Sequence, residues 1–163
     1  MAGVSNAMSR SPLKRIDVQI QRIRARLYLD PGNAELLQEL GKAYIRRFHC
    51  GGADLFDAMV ALEKSFAANP NDPFTLLYLA YVFTSEGRYA KCLKALHAAA
   101  KIAPNLAIVQ VHMGDAYWNL GEAILTDECY RKAVALEPEY AVARQRLEWW
   151  LGLSRGRDEP KQS

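Results

Sequence analysis

Histidine and cysteine side chains can bind metal ions or act in catalysis, and this sequence has one of each at adjacent positions, His49 and Cys50. Imidazole and thiolate groups are zinc ligands and can also form a nucleophile and base pair. A zinc site needs four ligands, and no second cluster accompanies this pair. His97 and His112 are isolated, and Cys92 falls where helix packing requires a small side chain. The spacing therefore predicts neither a metal site nor a catalytic thiol.

A glycine pair, Gly51-Gly52, follows these two residues. Glycine-rich loops that cradle phosphates also need a following lysine and a serine or threonine, and this pair lacks them. No segment of the sequence combines a nucleophile with a base in a recognisable pattern. We expect the chain to have no catalytic residues, no metal and no cofactor, and not to be an enzyme.

The cysteines also bear on the cellular compartment. Cys50, Cys92 and Cys129 include no C-x-x-C pair, and bridging two of them would leave one over. This usage predicts reduced thiols rather than a disulfide framework. No run approaches the roughly 20 apolar residues of a membrane span, and residues 1–8 lack the apolar core of a secretory signal. We therefore expect a cytoplasmic chain with no membrane segment.

Four prolines divide the sequence into helical stretches. Pro70, Pro104 and Pro138 are equally spaced, and the interval from Pro31 to Pro70 is longer. Each proline follows an apolar helical pattern that cannot continue through a residue without an N–H group. The repeated interval, about 34 residues, is typical of stacked helix pairs. The chain of 163 residues, of which 50% are hydrophobic, is long and apolar enough for one compact domain of this kind.

The three stretches between the prolines share one motif, in which a large apolar residue, a small residue and an aromatic residue recur at fixed spacing on a first helix, and a small residue recurs on a second helix. In each repeat a small residue lies at the predicted helix crossing, because a larger side chain would hold the helices apart. These residues are Gly41, Ala80 and Gly114. Gly87 and Gly121 stand where left-handed backbone would end a first helix. The other motif positions are Leu37, Leu40, Tyr44, Ala58, Leu62, Leu76, Leu79, Phe83, Cys92, Leu96, Met113, Tyr117, Thr126 and Tyr130, with Gln110 as the one departure.

These motifs resemble those of tetratricopeptide repeat (TPR) proteins over about 105 residues. The resemblance implies an all-α fold, a right-handed α-solenoid of helix-turn-helix repeats, in a single TPR domain of residues 12–153. Residues 1–11 and 154–163 are expected to be disordered. Within the domain, the predicted parts are a half-repeat helix (12–31), three repeats (34–72, 73–106 and 107–140) and a capping helix (141–153).

The first repeat is five residues longer than the other two, and the excess falls between Tyr44 and Ala58. The sequence predicts an enlarged connection from Arg46 to Asp54, in which the glycine pair permits a tight reversal and Asp54 caps the next helix. This connection is either a tolerated surface insertion or a recognition loop particular to this chain.

In TPR proteins the first helix of each repeat lines a concave groove, so the resemblance implies another protein or a peptide as the partner. Residues 74–83 are apolar nearly all round their helix, so their outer side is covered either by an apolar partner segment, which we favour, or within the chain by neighbouring helices or the C-terminal helix with Trp149 and Trp150. Some TPR proteins hold a peptide carboxylate with lysines and asparagines, but here Tyr78, Ile108 and His112 replace three of those residues. The candidate peptide-binding residues are Gln38, Lys42, Arg46, Phe74, Leu77, Tyr78, Tyr81, Ile108, Val111, His112, Asp115 and Trp118.

Charge is concentrated near the N-terminus, where residues 10–26 carry about +5 in a chain of +3 overall. Such a segment could attract an acidic partner or a nucleic acid, although a solvated helix face has the same pattern. The function that the sequence favours is a non-catalytic adaptor or scaffold. One alternative is a bacterial secretion-type chaperone for a hydrophobic client, because chaperones of that class resemble the chain in size and repeat number. The other is binding of a nucleic acid or an acidic partner through the basic helix. Self-association through exposed aromatic residues remains open.

Overall fold

The computed structural model describes residues 12–52 and 55–158, and every regular element within these ranges is a helix. Each of the three repeats contributes two helices, and one helix lies before the repeats and one after them. The bounds are α1 (Pro12–Leu29), α2 (Ala34–His49), α3 (Phe56–Ala68), α4 (Pro73–Ser85), α5 (Tyr89–Ile102), α6 (Ala107–Asn119), α7 (Ala123–Leu136) and α8 (Ala141–Asp158).

The chain divides into two compact units at the step from Asn71 to Asp72, where the sequence predicted a single domain. Helices of a repeat array pack on their neighbours in the sequence, so a joint between repeats is a natural dividing point. Unit 1 contains α1, α2 and α3. Unit 2 contains α4 to α8.

Unit 1 is organised around α2, against which both α1 and α3 pack. Its core joins Ile20 and Ile23 of α1 with Leu36 and Leu40 of α2 and Ala61 of α3. Apolar residues at i and i+3 or i+4 place these side chains on one stripe of each helix. The predicted half-repeat helix is therefore a packed part of the first unit.

In unit 2 each helix packs on the next, and α8 also contacts α6. Val111 of α6, Ala133 of α7 and Ala143 of α8 form a buried cluster, with Val134 and Tyr140 packed beside it. The small alanine side chains let the three helices approach closely. The helix after the last proline thus covers the third repeat, which is the role that the sequence predicted for it.

In the first and second repeats, a polar side chain caps the N-terminus of the leading helix. The side chain of Asn33 accepts a hydrogen bond from the backbone N–H of Leu36 at 3.0 Å. Asp72 accepts from the backbone N–H groups of Phe74 and Thr75, both at 3.1 Å. These bonds satisfy amide groups that have no partner within the helix. The prolines and the caps together explain why the helix starts fall where the sequence placed them.

Gly41 and Gly114 lie at helix crossings, as the motif predicted. A Cβ atom on Gly41 would lie 2.5 Å from Cγ of Leu62, and one on Gly114 would lie 2.5 Å from Cε1 of Tyr130. Both distances are well below van der Waals contact, so only glycine permits these spacings. The left-handed turns predicted after the first helices are also present, at Gly87 and Gly121, with φ of 69° and 79°.

The predicted connection from Arg46 to Asp54 is wrong over its first four residues, because α2 continues to His49. This helix has 16 residues, whereas α4 and α6 have 13. The added turn is held along α1: Arg47 Nε donates to Asp17 Oδ1 at 2.7 Å, and Arg46 Nη2 donates to Gln19 Oε1 at 3.0 Å. The insertion is therefore divided between the helix and its connection to α3, which runs over residues 50–55, whereas residues 86–88 alone connect α4 to α5.

The rest of the insertion reverses at Gly51, where φ is 81°, so the glycine pair does permit the predicted tight turn. At Gly52, a Cβ atom would lie 2.7 Å from the backbone oxygen of Arg47, and this close approach also requires glycine. The predicted cap Asp54 lies outside the described residues.

The predicted disorder of residues 154–163 is wrong over 154–158, because α8 continues to Asp158. No proline interrupts the chain before Pro160, and helices usually end before the residue that precedes a proline. Residues 1–11 and 159–163, for which the sequence also predicted disorder, lie outside the described ranges.

Candidate functional site

Three aromatic residues, Phe74, Tyr78 and Tyr81, fall at i, i+4 and i+7 of α4 and so share one side of that helix. Phe74 is 49% exposed, and the two tyrosines are half-buried. The buried residues of α4, among them Leu79 and Val82, lie at other positions of the helix. The first helix of unit 2 therefore presents an aromatic surface beyond its own repeat.

The same positions recur one repeat interval later on α6 and one interval later again on α8. On α6 the equivalent residues are Ile108, His112 and Asp115, all half-buried. On α8 they are Val142, Arg146 and Trp149, all exposed. We call these nine residues the groove face of unit 2, after the groove that the resemblance to TPR proteins implies; its members are Phe74, Tyr78, Tyr81, Ile108, His112, Asp115, Val142, Arg146 and Trp149.

The sequence predicted that the last helix caps the third repeat or covers the aromatic surface, and its own contribution to this face was not predicted. The repeat interval could have revealed it, because Val142 follows Ile108 by one period and Trp149 follows Asp115 by one period. Trp149 is 42% exposed. The last helix therefore both covers the third repeat and adds a large exposed ring.

Two predicted site residues are buried and are therefore not part of the candidate site. Leu77 is 8% exposed and Val111 is 2% exposed. Val111 packs against Ala133 and Ala143 in the core of unit 2. The all-round apolar character of α4 and α6 hid this difference, because periodicity does not separate a buried stripe from an exposed one when both are apolar.

Trp118, another predicted site residue, belongs to a cluster of three tryptophans. Its ring meets Trp149 edge to face at 5.4 Å between centroids and Trp150 at 5.6 Å. The indole N–H of Trp150 donates to Asp127 Oδ1 at 2.9 Å. Trp118 therefore links α6 to α8, and Trp149 is the ring of the cluster that remains open to a partner.

Asp115 is engaged within unit 2. It accepts a hydrogen bond from the Tyr130 hydroxyl at 2.6 Å, and Arg146 Nε lies 3.2 Å from the same carboxylate oxygen. Burial lowers the pKa of His112, an effect opposed by the charge of Asp115 and aided by that of Arg146. The imidazole is therefore neutral at physiological pH, so the centre of the groove face offers no free positive charge.

The remaining predicted site residues, Gln38, Lys42 and Arg46, lie on α2 in unit 1. Gln38 and Lys42 are half-buried, and Arg46 is exposed while it donates to Gln19 of α1. Their spacing places them on the side of α2 away from Leu37 and Leu40. They form a polar and basic surface of unit 1.

The two buried thiols, Cys92 and Cys129, do not have the character of nucleophiles. Burial raises the pKa of Cys92, whose sulfur accepts a hydrogen bond from Thr84 Oγ1 at 3.1 Å. Burial also raises the pKa of Cys129, to about 11. Both groups are therefore protonated at neutral pH. Within the described ranges no group of three or more His, Cys, Asp or Glu residues could hold a metal ion.

Several solved structures resemble this arrangement. MamA superposes with a TM-score of 0.75 at 23% identity, over 94% of this chain and 89% of that one. A thermophilic TPR protein from Thermus thermophilus gives 0.74 at 18% identity, over 85% and 74% of the two chains. The first TPR of Spaghetti (RPAP3), bound to the HSP90 peptide SRMEEVD, gives 0.65 at 18% identity, over 75% and 93%.

The chain has the tetratricopeptide repeat fold. The predicted fold class, an all-α solenoid of TPR helix pairs, is confirmed by these likenesses. A curated relative, the cytochrome c-type biogenesis protein CycH of Rhizobium meliloti (strain 1021), is 35% identical over 69 residues. That match takes in 40% of this chain, which spans only 18% of the relative's length. No family model matches the sequence. In the part of the TPR chain that the structure describes, no helix is both long and apolar enough to cross a membrane.

Proposed function

We propose that this TPR chain is a non-catalytic adaptor or scaffold that holds an apolar segment of a partner protein on the groove face of unit 2. The observation that carries the proposal is the exposure of two large rings, Phe74 and Trp149, on that face. Large exposed aromatic residues usually mark interaction sites, because burying them against a partner releases much ordered water.

The polar groups on the same face can orient a bound segment through hydrogen bonds, but they attract it little by charge. Tyr78 and Tyr81 carry hydroxyl groups, and His112 is neutral. Asp115 and Arg146 are paired with each other. A partner segment with aromatic or aliphatic anchors and few charges fits this chemistry. For Gln38, Lys42 and Arg46, which lie on the separate polar and basic surface of unit 1, we propose contacts with polar or acidic residues of a partner.

The neighbour bound to an HSP90 peptide provides a direct contrast. A peptide ending in a carboxylate needs cations or amide groups around its end, and this chain has Tyr78, Ile108 and a neutral His112 at three of the corresponding positions. We expect the terminal carboxylate of SRMEEVD to add nothing to its binding, so that amidation of the C-terminus changes the affinity by less than about twofold. Fluorescence anisotropy of the labelled acid and amide peptides measures this, and a loss of about tenfold on amidation would show that other groups hold the carboxylate.

The decisive experiment begins with affinity capture of the partner from the native cell and definition of its shortest binding segment. The labelled segment is then titrated with purified chain. The double variant Phe74→Ala/Trp149→Ala should weaken binding at least about tenfold, equivalent to about 1.4 kcal/mol. The same variant should keep its helical circular dichroism, since both side chains are exposed.

The matched control removes two exposed apolar side chains of unit 2 that are not on the groove face, in Leu120→Ala/Ile124→Ala. Binding should change by less than about twofold, because area lost elsewhere does not alter the contact. Equal weakening by both double variants would contradict the proposed face. If the captured partner is a hydrophobic secreted client, the chaperone alternative is favoured. The cytoplasmic location and the oligomeric state remain predictions from the sequence.

A further inference from the structure

Unit 1 contains a cleft that the groove residues do not use. Because α1 and α3 both pack against α2, a space of about 400 Å³ remains between them. This volume lies within the range of about 300–1,000 Å³ typical of ligand sites. Its apolar lining includes Leu27, Leu37, Leu40, Tyr44, Val60 and Ala61.

The cleft lies on the opposite side of α2 from the groove positions. Leu37, Leu40 and Tyr44 fall at i, i+3 and i+7, on one stripe of the helix. At about 100° per residue, Gln38 and Lys42 are centred about 150° away from that stripe. A molecule in the cleft would therefore leave the predicted groove residues of unit 1 uncovered. The cleft is a separate candidate site.

The mouth of the cleft is positively charged. Arg24 of α1 and Lys64 of α3 are both exposed and line it, together with one acidic residue, Asp57. The ring of Tyr28, also in the lining, is 86% exposed. No ion pair within 4 Å joins Arg24, Lys64 or Asp57 to another side chain of the described residues.

The surroundings add to this charge. Arg22 and Arg26 are exposed on α1. The acidic residue of the same helix, Asp17, is already paired with Arg47 of α2 at 2.7 Å. Arg22 and Arg26 lie about 160° round α1 from Arg24, so they do not line the cleft, but their charges attract an acidic ligand towards this unit from a distance.

We infer that this cleft binds an acidic segment of a partner protein, which inserts one large apolar side chain between α1 and α3 and places carboxylates near Arg24 and Lys64. A nucleic acid would use the cations but would leave the apolar floor formed by Leu27 and Val60 unfilled. An acidic peptide with an apolar anchor uses both features. This inference is independent of the groove face of unit 2.

The test uses the full chain and a labelled synthetic peptide with a central leucine flanked by glutamates. Anisotropy should show saturable binding of this peptide, and replacing the central leucine by alanine should weaken it at least about fivefold, because the floor is apolar. The charge-reversal variant Arg24→Glu/Lys64→Glu should weaken it at least about tenfold. Tyr28→Ala, which removes an exposed ring at the mouth, should weaken it about two- to fivefold.

The control Lys91→Glu/Lys101→Glu makes the same change in net charge with two exposed lysines of unit 2. Peptide binding should then change by less than about twofold. The groove variant Phe74→Ala/Trp149→Ala should also leave binding unchanged, which separates failure of this inference from failure of the proposed function. Absence of binding at about 100 µM peptide, equal binding of the leucine and alanine peptides, or tighter binding of an oligonucleotide that competes with the peptide would overturn the inference.

Discussion

The absence of a side chain at Gly114 lets α6 and α7 approach closely at this position. The ring of Tyr130 is fully buried there and its hydroxyl is held by Asp115. Because the ring cannot move without breaking that hydrogen bond, Gly114→Ala should lower the free energy of unfolding of unit 2 by about 1–3 kcal/mol. Urea denaturation followed by tryptophan emission measures this, since all three tryptophans lie on α6 and α8.

Gly152 is the matched control for this substitution. It lies within α8, and a Cβ atom on it would have no neighbour within 4 Å outside its own helix. Gly152→Ala should therefore raise helix stability by about 0.5–1 kcal/mol. If both alanine variants shifted the urea midpoint in the same direction, the close approach at Gly114 would not be the cause.

His112 gives unit 2 a specific dependence on pH. Its pKa is lowered by burial, so protonation favours the unfolded chain. The contribution of this residue to stability is complete above its unfolded pKa, near 6.5, and is lost as the pH falls from there through the lower folded pKa. The melting temperature should therefore fall between about pH 7 and pH 5. His112→Gln should flatten this decline, while substitution of the exposed His97 by Gln should leave it in place.

At the level of helices, the sequence was sufficient where a residue ends a helix by its own chemistry. Gly87 and Gly121 follow α4 and α6 with the left-handed backbone that was predicted for them. The prediction failed where the end of a helix depends on contacts with another helix. The last turn of α2 persists because Arg46 and Arg47 meet α1, and such a contact between helices leaves no local signal.

The attachment of α8 depends on Trp150 rather than on its neighbour Trp149. Trp150 is 4% exposed, touches Trp118 and donates to Asp127. Trp150→Ala should cost about 3–5 kcal/mol, because it leaves a cavity and an acceptor without its donor. The loss should appear as faster hydrogen exchange of the α8 amides.

Trp149→Ala provides the comparison for α8, because this ring also meets Trp118 but is 42% exposed. Its cost should be no more than about 1 kcal/mol, and α8 should keep its exchange protection. Similar exchange rates in the two variants would indicate that the tryptophan cluster acts as one unit in holding the helix.

At the level of the whole chain, the repeat period predicted the kind of fold but not which apolar side chains remain accessible. The repeat interval gives the equivalence of Phe74, Ile108 and Val142 directly. It does not indicate that α8 covers Val111 while leaving Trp149 open, because that depends on where one helix lies upon another. The cleft of unit 1 was likewise beyond the sequence, since its motif residues were assigned only to packing.

The division into two units predicts how the chain unfolds. Gly41 has the same role in unit 1 as Gly114 in unit 2, because a Cβ atom on it would meet the fully buried Leu62. Gly41→Ala should therefore destabilise α1 to α3 by about 1–3 kcal/mol. Circular dichroism reports every helix, whereas tryptophan emission reports unit 2 alone. If the units unfold separately, Gly41→Ala shifts the dichroism curve and leaves the emission curve in place, whereas Gly114→Ala shifts both. Equal shifts of the two curves in Gly41→Ala would mean that the chain unfolds as the single cooperative domain that its sequence predicted.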